Sequence, residues 1–540
     1  MTRKCCVLIL AATIAALVLR LPRLSQRPMH GDEAVHADKF KKLLEQGVYT
    51  YDPNEYHGPT LNYLSLVPAK LSGARDITEV NEFTLRIVPV FCGVVLVILL
   101  LLMKDGLGHK AVVYAAILTA ISPAMVFYSR YYIQEMLLVC FTFGAIVSGY
   151  RYVRSKNIAW AIAAGACIGL MHATKETCII TFASLLLALA FVLLPGRKKE
   201  TVVEIIKGIN KKHLFAGFIT AVIVSVLFFS SFFTNPKGIL DSILTYTMYF
   251  GRADGNEIHN HPWYYYLQML IFYRFDSGPV WTEAVIVVLA LVGFISSFIK
   301  KGIVFADNHL IRFIGFYTLI LTVVYSVIPY KTPWCMLSFL HGMILLAGFG
   351  AAVLINLSPK VFPRLIVSIL LLSAAVHLGW LSYLNNYKYY SDSRNPYVYA
   401  HPTMEIYSLV DKVEYYAGIH PQGDKMYIEV ICPGHDYWPL PWYLRSFSKV
   451  AWRSEVAFNE SSASLIIASP SIESDLINKL YDDSIPFEQR HIYMYLIEDD
   501  PYYIWLRPQV KLSGFVRKDL WEASNIVSDP NDLINKQSTE

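Results

Sequence analysis

The feature that most constrains this chain is a series of long apolar segments. A helix needs roughly 20 apolar residues to cross the hydrocarbon core of a bilayer, and about eleven segments meet or approach that length. With 55% hydrophobic and 16% charged residues, the 540-residue chain is also too apolar for a soluble protein of its size. The segments are residues 5–21, 84–103, 111–128, 136–152, 158–173, 177–195, 214–233, 280–299, 310–328, 334–356 and 362–384. They predict an α-helical, multi-pass membrane protein.

Basic residues indicate the face of the membrane on which each loop lies. With a cytoplasmic N-terminus, the inner loops carry clusters such as Arg197–Lys199 and the pair Arg151 and Arg154, whereas each short outer loop carries one cation. This asymmetry is the one that the positive-inside rule requires. We therefore predict a protein of the cell membrane with an extracytoplasmic C-terminal domain. The segment Cys5–Leu21 also resembles a signal peptide, but it stays apolar past its small residues, which favours an uncleaved anchor.

Two domains are predicted from the change in composition. Residues 1–384 form a transmembrane domain, in which residues 22–83 are a long first outer loop with short amphipathic helices, and residues 385–540 form an extracytoplasmic α/β domain. Residues 434–445, rich in aromatic side chains and proline, either form a packed surface loop or face a cavity at the membrane. The predicted elements of the α/β domain are strands at 425–432, 463–469 and 491–497 and helices at 403–416 and 472–481.

Two adjacent acids, Asp32 and Glu33, follow the first apolar segment. They lie close to a predicted membrane face, where unpaired carboxylates are costly. Acids also favour the first turn of a helix, and Phe40, Leu43 and Leu44 fit an amphipathic helix that starts here. The pair is therefore either a catalytic centre or the start of that helix. We favour catalysis, because other predicted outer loops carry ionisable residues on the same face.

Ionisable or polar side chains occur at five places in the predicted outer loops. They are Asp32, Glu33 and His36; His57; Arg130 and Glu135; His172, Lys175 and Glu176; and Tyr330 and Lys331. Short loops between packed helices predict one shared pocket, although any single cation is also consistent with a snorkelling side chain. Carboxylates suit a general base or metal ligands, and Arg and Lys suit a phosphate. A phosphate bound at this face indicates a lipid-linked ligand, and the small net charge of +5 gives no support to a nucleic-acid partner.

The order of these features resembles the GT-C superfamily of membrane glycosyltransferases, particularly protein O-mannosyltransferases and aminoarabinose transferases. Several motifs are similar to an archaeal family associated with flippase activity in N-glycosylation. These are HGDEAVH at 30–36, HGP at 57–59, SRYYIQE at 129–135, TKE at 174–176 and YKTPW at 330–334. The resemblance extends over roughly residues 1–445, and the five motifs are specific mainly through their order.

The resemblance implies a GT-C fold and a glycosyltransferase that uses a polyprenyl-phosphate or dolichyl-phosphate sugar at the extracytoplasmic face. Asp32 matches the acceptor-activating aspartate, Glu33 its neighbour and Glu135 the acid of the second acidic loop. We predict an inverting transfer in which Arg130, Lys175 and Lys331 stabilise the leaving phosphate. The predicted donor site also includes His57, Glu176 and Tyr330. The expected partners are this donor, membrane lipids, and a protein or glycolipid acceptor.

Two alternatives remain open from the sequence. A divalent metal such as Mg²⁺, Mn²⁺ or Zn²⁺ is one, because Asp32, Glu33, Glu135 and His57 are suitable ligand types. The other is a flippase, or a flippase-associated protein, for lipid-linked sugars in archaeal N-glycosylation. A transporter usually places ionisable residues near the bilayer midplane and often has repeated halves, whereas here they cluster at one predicted face and no repeat is found.

Overall fold

A computed structural model describes residues 3–54, 57–194, 210–252, 259–299, 306–358, 360–481, 490–498 and 500–527. The chain forms two compact units. The first, mainly helical unit contains residues 1–24, 39–75 and 80–399. The second unit contains residues 400–540 together with two pieces of the first loop, residues 25–38 and 76–79. The domain boundary predicted at residue 384 did not anticipate those two pieces, because they are separated in sequence from the rest of their unit.

The described residues contain the following α-helices, numbered in chain order: α1 Arg3–Arg20, α2 Gly31–Gln46, α3 Thr60–Leu71, α4 Glu82–Leu99, α5 Lys104–Leu107, α6 His109–Ile121, α7 Pro123–Ser129, α8 Glu135–Ser155, α9 Ile158–His172, α10 Cys178–Leu193, α11 Lys211–Phe229, α12 Lys237–Arg252, α13 Tyr265–Ile271, α14 Ala284–Ser296, α15 Asn308–Val327, α16 Leu337–Leu357, α17 Val361–Tyr383, α18 Glu405–Ile419, α19 Leu440–Tyr443, α20 Glu473–Leu480 and α21 Lys518–Val527. Each of the apolar segments predicted from the sequence overlaps one or more of these helices. The helical membrane architecture is therefore confirmed.

The lengths of the apolar helices determine how many of them can cross a bilayer. Among the described residues, six helices are long and apolar enough to cross a bilayer, and the bent pair α6 and α7 makes a seventh if it is one span. Helices α9, α10 and α14 are apolar but shorter. At 1.5 Å per residue they extend about 20 to 24 Å, less than a hydrocarbon core of roughly 30 Å. The predicted total of eleven spans stays a prediction.

A proline and a buried carboxylate lie at the 57° bend between α6 and α7. Glu283 is fully buried, and its carboxylate accepts hydrogen bonds from the Ser122 hydroxyl (2.5 Å), the Ala124 N–H (2.9 Å) and the Tyr397 hydroxyl (2.9 Å). Pro123 lacks an N–H and begins the second helix, so the backbone ladder is interrupted here. Glu283 therefore satisfies donors that the broken helix exposes inside the protein.

Close packing of α9 against α11 depends on glycine. The motif Gly165-x-x-x-Gly169 predicts close helix contact. A Cβ atom at Gly165 would lie 2.0 Å from the carbonyl oxygen of Gly217, and one at Gly169 would lie 2.6 Å from that of Ala221. No side chain fits at such distances, so the prediction of close packing is confirmed.

The second unit is built on a six-stranded sheet with the order β2-β1-β3-β6-β4, to which β5 pairs through β6. Its strands are β1 Ile428–Ile431, β2 Val450–Arg453, β3 Leu465–Ala468, β4 Tyr493–Tyr495, β5 Ile504–Arg507 and β6 Val510–Arg517. Strand β1 pairs in parallel with β2 and β3, and the remaining pairs are antiparallel. The strands β1 and β3 are fully buried, with α20 packed on one face through Leu476 and Leu480.

The sequence predicted part of this domain. The three predicted strands contain β1, β3 and β4, and both predicted helices overlap α18 and α20. Strands β2, β5 and β6 were missed. Strand β2 has only four residues, and β6 carries Ser513 and Gly514 at its centre, which are not typical of a strand. At Gly514 a Cβ atom would lie 2.7 Å from Leu496 Cδ2, so glycine allows the close contact with the neighbouring strand.

Candidate active site

The two adjacent acids of the first loop have different surroundings within the second unit. Helix α2 begins at Gly31, so Asp32 and Glu33 both lie in its first turn. The Glu33 carboxylate is fully buried, accepts a hydrogen bond from the His30 N–H (3.0 Å) and lies 3.7 Å from the Arg27 guanidinium. A glutamate that reaches back to the N–H at the helix start is the second half of a capping box. Glu33 therefore has the helix-start role that the sequence left open.

The side chain of Asp32 is 49% exposed and its carboxylate lies 3.9 Å from His30 Nδ1. Its own N–H donates to that same ring nitrogen at 3.0 Å. The arrangement fixes the backbone at Asp32 and leaves the carboxylate accessible. Of the two acids, only Asp32 has an accessible carboxylate.

The aromatic loop at 434–445 packs against the first-loop segment inside the same unit. The Met29 N–H donates to the Tyr443 hydroxyl at 2.8 Å, and a Cβ atom built on Gly31 would lie 3.6 Å from Trp438 Cβ. Trp442 and Tyr443 are buried. The loop is therefore packed rather than free, and it lies beside the start of α2.

Arg507 also contacts the aromatic loop, and the sequence did not predict it as a site residue. Its Nη1 donates to the Trp438 carbonyl oxygen at 2.6 Å, and its Nη2 bonds to Asp436. Burial lowers the pKa of Arg507, and the negative charge of Asp32 opposes that change. Arg507 and Asp32 therefore interact electrostatically within the second unit.

A second group of ionisable residues lies in the helical unit, in loops that follow α2 and α9. His57 Nδ1 lies 2.7 Å from Glu176 Oε2, and the Tyr51 hydroxyl donates to Glu176 Oε1 at 3.1 Å. Burial raises the pKa of Glu176, but the charge of His57 and the hydrogen bond to it outweigh burial and hold that pKa below its ordinary value. Glu176 is therefore a buried carboxylate paired with the His57 ring.

Close backbone packing brings these two loops together. The Thr60 N–H donates to the Ala173 carbonyl oxygen at 3.2 Å, and the Thr60 and Thr174 hydroxyls lie 2.8 Å apart. A Cβ atom at Gly58 would lie 2.2 Å from the Ala173 oxygen, so glycine is required between His57 and Pro59. The HGP motif at 57–59 and the TKE motif at 174–176 thus form one structure, as the shared-pocket interpretation predicts for these two loops.

Lys175 connects a third loop to this group. Its ammonium group forms an ion pair with Glu135, the first residue of α8, and both side chains are buried. Because Lys175 and Glu176 are adjacent in sequence, His57, Glu135, Lys175 and Glu176 belong to one cluster. We call these four residues the loop cluster.

Arg130 and Lys331, two cations that were predicted to bind a donor phosphate, donate to backbone carbonyls. Arg130 Nη1 bonds to the carbonyl oxygens of Arg20 and Pro22, each at 2.8 Å. Lys331 Nζ donates to the His261 carbonyl oxygen at 3.0 Å and also to that of Ile328. Tyr330 is partly exposed, with its ring centroid 4.9 Å from that of His259. These contacts support structural roles for Arg130 and Lys331, because each side chain bonds to at least two backbone carbonyl groups.

Arg130 provides a test of this assignment. It satisfies the last carbonyls of α1, and hydrogen bonds to a charged group contribute about 1.5 to 3 kcal/mol each. Arg130→Gln should therefore lower the free energy of unfolding by about 2 kcal/mol or more, measured by denaturation in detergent, without weakening polyprenyl-phosphate binding by the folded protein. Arg151→Gln, which removes a partly exposed ion pair with Asp105, is the control and should change stability little. Normal stability with lost lipid binding would instead assign Arg130 to the donor site.

The predicted metal ligands do not fit together in the described residues. There, no group of three or more His, Cys, Asp or Glu side chains is arranged to hold a metal ion. Glu33 bonds to the His30 N–H, Glu135 pairs with Lys175, and His57 pairs with Glu176. Each of these ligand candidates therefore already has a protein partner.

Comparisons with known proteins agree with this architecture. Residues 12–235 match the family model described as dolichyl-phosphate-mannose-protein mannosyltransferase, which covers less than half of the chain. No curated protein sequence is significantly similar to the chain. The matched segment includes Asp32 and all four members of the loop cluster.

Solved structures share the fold at low sequence identity. ArnT from Cupriavidus metallidurans in the apo state has a TM-score of 0.61 and 13% identity, covering 94% of this chain and 97% of that one. The same protein bound to undecaprenyl phosphate has a TM-score of 0.59 and 14% identity, covering 95% and 98%. The oligosaccharyltransferase of Archaeoglobus fulgidus, tethered with an acceptor peptide, has a TM-score of 0.55 and 13% identity, covering 92% and 73%. At these identities the likeness shows the fold alone, so the chain shares the fold of ArnT and of the oligosaccharyltransferase.

Proposed function

We propose that this protein transfers a sugar from a polyprenyl-phosphate donor to an acceptor hydroxyl at the extracytoplasmic face of the membrane. The observation that carries the proposal is the contrast between Asp32 and Glu33: Glu33 is buried in contacts that begin α2, whereas the Asp32 carboxylate is accessible. A general base must reach the proton that it removes. The match to a mannosyltransferase family model over residues 12–235, which include Asp32, supports this assignment.

The proposed reaction inverts the configuration at the anomeric carbon. Asp32 accepts the proton of the acceptor hydroxyl while the hydroxyl oxygen forms a bond to the anomeric carbon. The bond between that carbon and the phosphate oxygen breaks, and its electron pair leaves with the polyprenyl phosphate. Positioned cations stabilise the charge that develops on a leaving phosphate.

We assign that electrostatic role to His57 and Lys175 rather than to Arg130 and Lys331. The His57 side chain is 28% exposed and pairs with the buried Glu176, and Lys175 is the adjacent cation of the loop cluster. Arg130 and Lys331 each donate to two or more backbone carbonyls, which supports a structural role for both. The proposal therefore keeps the predicted donor site but reduces its cations to two.

The family match and the solved structures support particular classes of donor and acceptor. The description of the matched family supports mannose from dolichyl-phosphate mannose, and the undecaprenyl phosphate bound to ArnT supports a polyprenyl lipid. The acceptor peptide on the Archaeoglobus fulgidus enzyme supports a protein acceptor, and a glycolipid acceptor is equally compatible with Asp32 as the base. The proposed topology has a cytoplasmic N-terminus, as the basic residues of the loops predict.

A direct assay tests the proposal. Purified protein in liposomes is given polyprenyl-phosphate mannose labelled in the sugar, and the release of free polyprenyl phosphate is measured with and without a hydroxyl-bearing peptide. We expect acceptor-dependent cleavage of the sugar–phosphate bond. Movement of intact labelled lipid across the bilayer with no cleavage would contradict the proposal and support the flippase alternative.

A further inference from the structure

Helix α12, Lys237–Arg252, exposes apolar side chains and buries polar ones, which is the reverse of the pattern in a soluble protein. The exposed fractions of Leu240 and Ile243 are 57% and 62%, and Leu244 is also exposed. Asp241 and Thr245, by contrast, are only 6% and 2% exposed. Residues 240, 243, 244 and 247 recur at the spacing of one helix face, so the exposed side is a continuous stripe. A helix with this pattern requires an apolar environment on its outer side.

The connection from α11 to α12 places this stripe at the end of a membrane span. Helix α11 is long and apolar enough to cross a bilayer, and it begins at Lys211 and Lys212. Helix α12 follows after residues 230–236 and turns back on the far end of α11, where a Cβ atom at Gly238 would lie 2.1 Å from the Phe229 carbonyl oxygen. Seven residues span at most about 25 Å. The start of α12 therefore lies close to the membrane face opposite the Lys211 end.

The exposed apolar surface is continuous between the two helices. Phe232 and Phe233, in the connecting turn, are exposed, as are Phe218 and Ile223 on α11. Lys237 lies at the start of α12 with an exposed side chain and pairs with Asp241 at 3.9 Å. Lysine at the end of an apolar face is typical of a side chain that extends its charge from the membrane interface into water.

The inner face of α12 contacts the loops that carry the loop cluster. The Thr245 hydroxyl donates to the Pro53 carbonyl oxygen at 3.3 Å, in the loop between Tyr51 and His57. The Tyr246 hydroxyl lies 3.6 Å from Cys178 Sγ, two residues beyond Glu176. One helix, about 10 Å in diameter, thus separates the exposed apolar stripe from the His57 and Glu176 pair.

We propose that α12 is an interfacial membrane helix whose stripe of Leu240, Ile243 and Leu244 binds acyl chains of the bilayer leaflet. An amphipathic helix lies in the interface with its apolar face about 5 to 10 Å below the headgroup boundary. Through Thr245 and Tyr246, it holds the loop cluster at the level of the lipid headgroups. This depth is where the phosphate of any membrane-anchored ligand would lie.

Site-directed fluorescence tests the proposal without requiring catalysis. Cys6, which is exposed, is first changed to Ser. Ile243→Cys is then introduced and labelled with an environment-sensitive dye. The labelled protein is placed in liposomes whose lipids carry a nitroxide near the headgroup end of the acyl chain. The matched control is Ile477→Cys, an exposed isoleucine on α20 of the α/β unit. We expect several-fold stronger quenching at residue 243 than at residue 477, and the same result from Leu240→Cys.

Other outcomes would overturn the proposal. Quenching by aqueous iodide, with no quenching by nitroxide lipid, would place the stripe in water. A signal that changes when the protein is diluted in excess lipid would show that a second copy of the chain covers the stripe. Nitroxide quenching that is abolished by added polyprenyl phosphate would identify the stripe as a site for the donor chain instead of bulk lipid. Because none of these readouts depends on sugar transfer, they do not depend on the proposed reaction.

Discussion

Replacing Asp32 with Asn is expected to lower the rate of sugar transfer by about 10²- to 10⁴-fold, the usual cost of losing a general base. Asn keeps the shape of the side chain and its capacity to accept a hydrogen bond, but it cannot accept the acceptor's proton. The Asp32 side chain is half exposed, so the change should leave folding intact. The rate is measured as release of polyprenyl phosphate at saturating donor. The affinity for unlabelled polyprenyl phosphate is measured as well, and it should stay near that of the original protein.

Two neighbouring acids are the controls for this prediction. Asp38→Asn changes an exposed carboxylate on the same helix and should leave the rate within a few-fold of normal. Glu33→Gln should mainly lower stability, because Glu33 is buried against the Arg27 guanidinium and the His30 N–H. Near-normal transfer by Asp32→Asn in an active preparation, or an equal loss in Asp38→Asn, would remove Asp32 from the mechanism.

The sequence alone does not distinguish the role of Asp32 from that of Glu33. Both acids follow the first apolar segment, and a helix start and a catalytic role each explain the pair. Only the position of each side chain separates the roles, because Glu33 points back to the His30 N–H and Asp32 does not. Arg130 and Lys331 are a second example. Their charge predicts binding to a phosphate, but their side chains donate hydrogen bonds to backbone carbonyls.

The fold was more predictable in the membrane unit than in the α/β unit. Apolar segments have to be long to cross a bilayer, so their positions are visible in the sequence, and each overlaps a helix. Strand β6 gives a weak signal because Ser513 and Gly514 interrupt its apolar pattern. The assignment of residues 25–38 to the second unit has no local signal, because it depends on contacts such as the one between Met29 and Tyr443. Contacts between residues that are distant in sequence cannot be read from the pattern of one segment.

Lys175→Met is expected to lower the stability of the helical unit by about 3 to 5 kcal/mol. The Lys175 and Glu135 side chains are both buried and form an ion pair. Removing only the lysine leaves the Glu135 carboxylate buried without its cation, and an uncompensated buried charge is costly. The control is Lys518→Met, which breaks an ion pair with Glu522 between two exposed side chains and should cost less than about 1 kcal/mol. Unfolding is measured by denaturant titration in detergent for both variants.

The double variant Lys175→Met/Glu135→Leu separates the structural role of Lys175 from its proposed role at the donor phosphate. Two apolar side chains can replace a buried ion pair with little change in stability, so most of the lost free energy should return. If Lys175 also stabilises the leaving phosphate, the double variant should bind polyprenyl phosphate weakly and transfer sugar slowly even though its stability is restored. Recovery of both stability and transfer would confine Lys175 to the ion pair and leave His57 as the cation of the loop cluster that acts on the phosphate. If Lys175→Met unfolds no more readily than Lys518→Met, the ion pair with Glu135 does not stabilise the buried cluster.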